Sequence, residues 1–440
     1  MSKFYMPAVV AAAMVGVSSV SGNAKPLLTN SQSTYSSACL EQVETPERLI
    51  EICQHGLDNA GASDRQRIEM LDRLAWAYFD LGNFERSDDA FMEILDLDPK
   101  AELGLQGRGW VSFVRDDFTS ASAWFRKAVS RTPTAANLSG LAASERRDGQ
   151  VEFSEFEERM RVALALNPEY TWGLRELAWS LTDYSRNDEA LELFRSAVEV
   201  DSYDANAEYG IAYTLSEMNE WEEAFSHITR ALELDPEFTG AKSRRSLILL
   251  MLNRPKQALK DAEAVIAAGP EDEDGYVRKA RALSALGRRA EAHYVLETAE
   301  EKAGPSGYLL YWRADLLADD HDFSAALDQI RRSVAFDDAS HFNHRLHAEI
   351  ALWLEKVDEA REAIDLALQG NPGEPYLQFV EARVMIGEGE FKAAETAFDA
   401  AVEAGLPEER LSDFLTDLVV EGRFMQALSM RLRYSTATQG

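Results

Sequence analysis

A small residue recurs at a fixed interval of 34 residues through the second half of this chain, starting at Ala178. The earlier step from Gly109 to Ala178 is 69 residues, which is two repeats plus one residue. A second alanine, and a large apolar residue four places after it, keep the same register. Such a period is typical of stacked helical hairpins. The series of small residues is Ala75, Gly109, Ala142, Ala178, Ala212, Ser246, Ala280, Ala314, Ala348 and Ala382.

The stretch 71–99 shows one period in full and resembles a tetratricopeptide repeat, a motif of two antiparallel helices. The residues that carry the resemblance are Ala75, Tyr78, Gly82, Phe84, Phe91 and Pro99. The resemblance implies an all-α fold, a right-handed superhelix (α-solenoid) of about ten helix-turn-helix repeats. We assign the repeat array to residues 69–410, with an insertion near Asp148 in the third repeat.

The two ends of the chain fall outside this array. Residues 1–24 read as a signal peptide, because Lys3 precedes a short apolar run at 7–17 and small residues end at Ala24. A retained membrane anchor is the alternative. We expect a flexible segment at 25–44, a partial leading repeat at 45–68, and capping helices with a tail at 411–440.

The formal charge of −31 limits the classes of partner. Nucleic acids and anionic lipid surfaces attract basic proteins, so we expect neither as a partner. After cleavage of the signal peptide we expect no stable membrane insertion. The acidic surface is explained by solubility, or by docking to a basic partner.

The two cysteines, Cys39 and Cys53, both precede the first full repeat. An even number of cysteines in an exported protein favours a disulfide, which would clip a helical hairpin at the start of the array. The alternative is a pair of reduced thiols.

No motif for a nucleophile, a nucleotide or a cofactor is present, so we predict no enzyme activity and no cofactor. One histidine cluster, His341, His344 and His347 with His321 one helix pair earlier, has a spacing that a metal could use. The alternative is packing, because His344 and His347 occupy positions that hold large core residues in other repeats of this family. We predict no metal site.

In the family, the concave groove is lined by first-helix residues one and five places after the small residue, and three and six before it. Aromatic residues at or beside these positions would give a partner-binding groove. The alternative is that the rings fill gaps between repeats. The Lys, Asn and Arg of the family's carboxylate clamp are absent, with Asp72, Trp76, Gln106 and Trp110 in their place. The predicted groove residues are Trp76, Phe79, Trp110, Phe113, Trp172, Trp179, Tyr209, Tyr213, Tyr308 and Tyr311.

The sequence therefore predicts a periplasmic or secreted scaffold that binds a protein or peptide in its groove. Two alternatives belong to other classes. One is a glycan-binding component of cell-envelope or exopolysaccharide assembly, and the other is a metal-dependent enzyme at the histidine cluster.

Overall fold

The structure, a computed structural model, describes residues 32–41, 45–58, 61–336, 340–407 and 410–437. The contacts divide the chain into unit 1 (Met1–Arg244) and unit 2 (Arg245–Gly440). The described residues of both units form helices and no strands. The predicted signal peptide lies outside the described residues.

Unit 1 consists of helices that pair in sequence as hairpins: α1 with α2, α3 with α4, and so on. Each hairpin packs on the next. The helices are α1 (Gln32–Glu41), α2 (Pro46–Leu57), α3 (Asp64–Asp80), α4 (Phe84–Leu97), α5 (Glu102–Val114), α6 (Phe118–Arg131), α7 (Ala135–Arg147), α8 (Phe153–Leu166), α9 (Thr171–Asp183), α10 (Asn187–Val200), α11 (Ala205–Glu217) and α12 (Trp221–Leu234).

Unit 2 repeats the same arrangement of stacked hairpins. The boundary between the units falls inside α13 (Thr239–Met251). The remaining helices are α14 (Pro255–Ala268), α15 (Glu273–Ala285), α16 (Arg289–Ala303), α17 (Gly307–Asp319), α18 (Phe323–Phe336), α19 (His341–Trp353), α20 (Val357–Gly370), α21 (Pro375–Gly387), α22 (Phe391–Glu403), α23 (Leu411–Val420) and α24 (Phe424–Ala437). The predicted all-α solenoid of helix-turn-helix repeats is confirmed in each unit.

The periodic small residues lie where the two helices of a hairpin approach each other. Ala75, Ala178 and Ala212 are fully buried, as are the large residues Phe91 and Phe194 of the second helices. Close packing of two helices needs a small side chain at the crossing and a large one beside it. The period in the sequence is therefore the period of interhelical contact.

In the hairpins from α3/α4 to α23/α24, the turn between the two helices uses a residue in the left-handed backbone region. Gly82 occupies this place in α3/α4, where φ is 70°. His321 occupies it in α17/α18 with φ of 62°, a conformation that costs a residue with a Cβ about 1–2 kcal/mol. The packing of the hairpin therefore imposes the left-handed backbone conformation at this turn position, whether or not the residue there is glycine. The insertion near Asp148 lies in such a turn, since five residues separate α7 from α8 where three separate α3 from α4.

The start of the array corrects one prediction. Part of the segment 25–44, expected to be flexible, is helix α1, which pairs with α2 to make a complete leading hairpin. Its Ser-rich sequence hid a buried side, where Ala38 and Cys39 pack against Ile52 and Met70. Cys39 and Cys53 form a disulfide with an S–S distance of 2.03 Å, the pairing that the sequence predicted.

Residues 411–437, predicted as capping helices, form the hairpin α23/α24. Phe414 and Leu418 bury one side of α23 against the preceding hairpin. Within the described part of the chain, no helix is both long enough and apolar enough to cross a membrane.

Candidate binding surface on the first helices

The first helix of each repeat (α3, α5 and every second helix up to α21) carries the predicted groove residues. We call the surface formed by the positions one and five places after the small residue, and three and six before it, the first-helix face. Neighbouring side chains on this face come from consecutive first helices, as when the ring of Trp179 on α9 lies 5.2 Å from the ring of Tyr213 on α11, measured between centroids.

Four of the ten predicted groove residues belong to the core instead. Phe79, Trp110, Phe113 and Trp172 are each at most 4 % exposed. The ring of Trp110 packs edge-on against Phe125 at 4.9 Å and against Trp172 at 4.6 Å. The prediction that these four line a groove is therefore wrong, and the alternative of rings between repeats holds for Trp110 and Trp172.

The position of two of these residues explains their burial. Phe79 and Phe113 come four places after the small residue, one short of the face position. Their rings point towards the start of the second helix, where they contact Phe84 at 5.3 Å and Phe118 at 5.5 Å. In a helix, a shift of one residue turns a side chain by about 100°.

Six predicted groove residues keep part of their surface exposed: Trp76, Trp179, Tyr209, Tyr213, Tyr308 and Tyr311. In unit 1, Trp179 contacts Tyr209 at 5.6 Å and Tyr213 at 5.2 Å between the ring centroids. The guanidinium of Arg244 lies over the Tyr213 ring at 3.7 Å. These residues make a continuous aromatic patch on α9 and α11.

Asp72 and Trp76 form the polar start of the face on α3. Burial raises the pKa of Asp72 to about 6, although a hydrogen bond with Trp76 and the charge of Arg73 lower it. Ionising Asp72 therefore costs the folded protein more than it costs the unfolded chain.

In unit 2 the face contains a pocket of about 350 Å³ between the end of α13, α15 and α17. We call it the Arg281 pocket. Its polar lining includes Arg281, Trp312 and Asp315. Its apolar lining includes Leu250, Met251, Val277, Leu296 and Leu316.

The charged groups of the Arg281 pocket are not paired with each other. The guanidinium of Arg281 lies over the Trp312 ring at 4.3 Å. Burial raises the pKa of Asp315 to about 6, Asp319 and Glu349 raise it further, and Arg281 and Arg345 lower it. Among the described residues, neither Arg281 nor Asp315 has an ion-pair partner within 4.0 Å.

The sequence interpretation missed this pocket although its spacing rule applies here. Arg281 and Asp315 follow Ala280 and Ala314 by one place, as Trp179 follows Ala178. The groove prediction contains only aromatic residues, so it does not include Arg281 and Asp315. A search of the same positions for side chains of any chemistry finds them.

The four histidines of the cluster have separate environments in the structure. His347 Nε2 lies 2.7 Å from a carboxylate oxygen of Glu359, His344 is buried, and His341 packs on the Phe342 ring at 4.0 Å. His321 sits at the left-handed turn. Across the described ranges, no three His, Cys, Asp or Glu side chains are grouped as a metal would require.

Two segments match the family models of the tetratricopeptide repeat, residues 68–100 and residues 209–273. A FAM10 family protein of Arabidopsis thaliana is 35 % identical over 78 residues, which are 18 % of this chain and 18 % of that relative.

Solved structures similar to this chain include two repeat proteins. A tetratricopeptide repeat protein from Parabacteroides merdae is 16 % identical with a TM-score of 0.48, over 57 % of this chain and 98 % of that one. Yeast Tom70 is 15 % identical with a TM-score of 0.49, over 93 % of this chain and 97 % of that one. The matched repeats and the hairpins that continue their period make this chain a tetratricopeptide repeat protein.

Proposed function

We propose that this protein is an exported scaffold that binds protein partners on its first-helix face and acts by recognition, without catalysis. The observation that carries the proposal is the row of partly exposed rings and charged groups on consecutive first helices. Aromatic side chains offer large contact areas with little loss of conformational entropy, and they are enriched at binding hot spots.

Export is supported by two features at the start of the chain. The first 24 residues have the pattern of a signal peptide, and Cys39 is bonded to Cys53. Disulfides persist mainly in oxidising compartments. The intact mass of the protein from its own host should correspond to a chain that begins near Lys25. A mass that retains Met1 would contradict export by cleavage.

Site-specific photo-crosslinking tests the binding face. The photoreactive residue p-benzoylphenylalanine replaces Tyr308, which is on α17 and 36 % exposed. The matched control replaces Tyr294, which is on the second helix α16 and 69 % exposed. In living cells, we expect a discrete crosslinked protein from position 308 and none of that size from position 294.

Two outcomes would count against the proposal. Equal crosslinking from both positions would mean that the first-helix face has no special role. A crosslinked species that resists proteinase and contains sugar would favour the glycan-binding alternative.

A further inference from the structure

We propose that the Arg281 pocket takes one aromatic side chain of an extended peptide together with an adjoining peptide group. This inference rests on the proposed function, because it states which part of a protein partner unit 2 recognises. The pocket lies on the first-helix face, between α13, α15 and α17.

The shape of the pocket follows from a substitution within the repeat. In the hairpin α9/α10, Trp179 packs edge-on against Phe194 at 5.0 Å. In α15/α16, Arg281 and Leu296 stand at the same two repeat positions. Both line the pocket, so the cavity opens where another hairpin of this chain places an aromatic ring.

The pocket is large enough for one large side chain together with an adjoining peptide group. Its volume of about 350 Å³ is near the lower end of ligand pockets, which span about 300–1,000 Å³. Val277, Leu296 and Leu316 supply an apolar wall. An aromatic ring of a partner would occupy in α15/α16 the space that corresponds to the one occupied by the Trp179 ring in α9/α10.

The charged side chains of the pocket determine which chemical group of the ligand can lie beside its aromatic ring. Arg281 offers hydrogen-bond donors, while Asp315 and the second lining carboxylate, Asp319, offer acceptors, and neither Arg281 nor Asp315 is engaged in an ion pair within the described residues. A ligand with only negative or only positive charge would face one of these groups with a like charge. A peptide group satisfies both, since its C=O accepts from Arg281 and its N–H donates to Asp315.

The surface beside the pocket can carry the rest of an extended chain. Tyr311 lies 5.2 Å from Trp312 and Tyr308 lies 6.4 Å from it, measured between ring centroids. Both tyrosines are on α17 and are partly exposed. Peptide residues on either side of the anchoring ring would therefore meet further aromatic surface.

A fluorinated probe tests the pocket in the full-length mature protein. N-acetyl-4-fluoro-L-phenylalaninamide has one aromatic side chain flanked by two neutral peptide groups. We expect saturable ¹⁹F NMR shifts on titration, with a dissociation constant of about 1 mM, typical of a ligand with about 4 kcal/mol of binding free energy.

Two variants place the binding in the pocket. Arg281→Trp supplies the ring from within, as Trp179 does, and we expect at least a tenfold loss of probe affinity without a lower thermal midpoint. Ala285→Phe blocks the pocket from its exposed rim and should have the same effect on the probe if Arg281→Trp fails to fold. The control is Arg332→Trp on the exposed side of α18, which should leave binding unchanged.

The charge of the probe separates the possible ligand classes. Tighter binding of free 4-fluorophenylalanine would overturn the peptide assignment in favour of an amino-acid site, and tighter binding of the N-acetylated acid would mean that Arg281 alone governs recognition. Unchanged binding in both pocket variants would overturn the inference. Crosslinking at position 308 without probe binding would contradict the pocket and leave the proposed function standing. Probe binding without crosslinking at position 308 would contradict the proposed function, and with it the assignment of the pocket to a protein partner, although the pocket would still bind the probe.

Discussion

Units 1 and 2 differ at one position of the repeat, the residue that follows the small residue of the first helix. Most of unit 1 has an aromatic ring there, and most of unit 2 has a charged group. The residues of unit 1 are Trp76, Trp110, Trp179 and Tyr213, and those of unit 2 are Arg281, Asp315, Glu349 and Arg383.

Each tryptophan at this position is matched by a phenylalanine on the second helix of its hairpin. In unit 1 the tryptophan rings meet a phenylalanine of their own hairpin edge-on, with Trp76 at 5.4 Å from Phe91 and Trp179 at 5.0 Å from Phe194, whereas the hairpin of Tyr213 has Ile228 at that position. In unit 2 the same second-helix position is Leu296 in α16 and Ile330 in α18, whereas α22 has Phe398. The same backbone repeat can therefore pack aromatic rings between its two helices, or it can leave polar groups and a cavity at the surface.

Removing a ring from unit 1 should have the largest effect. We expect Trp110→Ala to lower the free energy of unfolding by about 3–5 kcal/mol, because the ring is 2 % exposed and contacts Phe125 and Trp172. Urea denaturation followed by circular dichroism measures the change. Arg281→Ala at the same repeat position of unit 2 is the control and should cost less than about 1 kcal/mol. Similar losses in both variants would abolish the distinction between the units.

Three phenylalanines on second helices of unit 1 leave no room for a side chain on the following first helix, which has glycine there. The pairs are Phe91 with Gly107, Phe125 with Gly140 and Phe194 with Gly210. A Cβ at Gly210 would lie 2.3 Å from Cε1 of Phe194, so Gly210→Ala should cost about 1–3 kcal/mol. The double variant with Phe194→Leu should recover part of that loss, as a favourable coupling in a double-mutant cycle. Gly373→Ala meets no atom within 4 Å and serves as the control. Strict additivity of the two changes would contradict the size matching.

The smallest expected effect concerns Asp315. Burial raises its pKa from 3.8 to about 6, so the folded protein binds this proton more tightly than the unfolded chain does. Stability is therefore lost as the pH rises from about 4 to about 6. We expect Asp315→Asn to raise the thermal midpoint at pH 7.5 and to leave it unchanged at pH 4.

Two further substitutions sharpen the pH experiment. Asp72→Asn in unit 1 should show the same profile, because burial also raises the pKa of Asp72 to about 6. Glu297→Gln on the exposed side of α16 should change little at either pH. A gain for Asp315→Asn that persists at pH 4 would mean that its cause is packing rather than ionisation.

The hairpins could be predicted from the sequence because the contacts that define them are local. Ala178 and Phe194 lie in consecutive helices joined by a short turn, and their sizes must match wherever the two helices touch. The same short range explains why the position of Cys53 on a helix of the leading hairpin was correctly predicted.

The exposure of the rings could not be predicted, because it depends on neighbours in other repeats. Helix α7 has the small residues Ala136, Ser139 and Ala143 at three of its four face positions. The rings of Trp110 on α5 and Trp172 on α9 therefore meet across it and become core. A rule that treats each repeat separately does not contain this contact.

Composition also misled at the start of the array. The Ser-rich run of α1 looks like a linker, yet its buried side needs only Ala38 and Cys39. Two small or sulfur-containing positions carry less periodic signal than the apolar faces of later helices, so the sequence pattern does not indicate this helix.

The stacking of hairpins also determines how the molecule would behave under tension. Helices in substantial contact within each unit are never more than two places apart along the chain. When the hairpin at the end of such a stack unfolds, the stretched chain becomes longer. The contacts between hairpins further along the chain stay intact. Each period of 34 residues would add about 110–120 Å of extended chain, so a force trace should show evenly spaced steps. The disulfide between Cys39 and Cys53 would keep the residues between them from extending until a reductant is added.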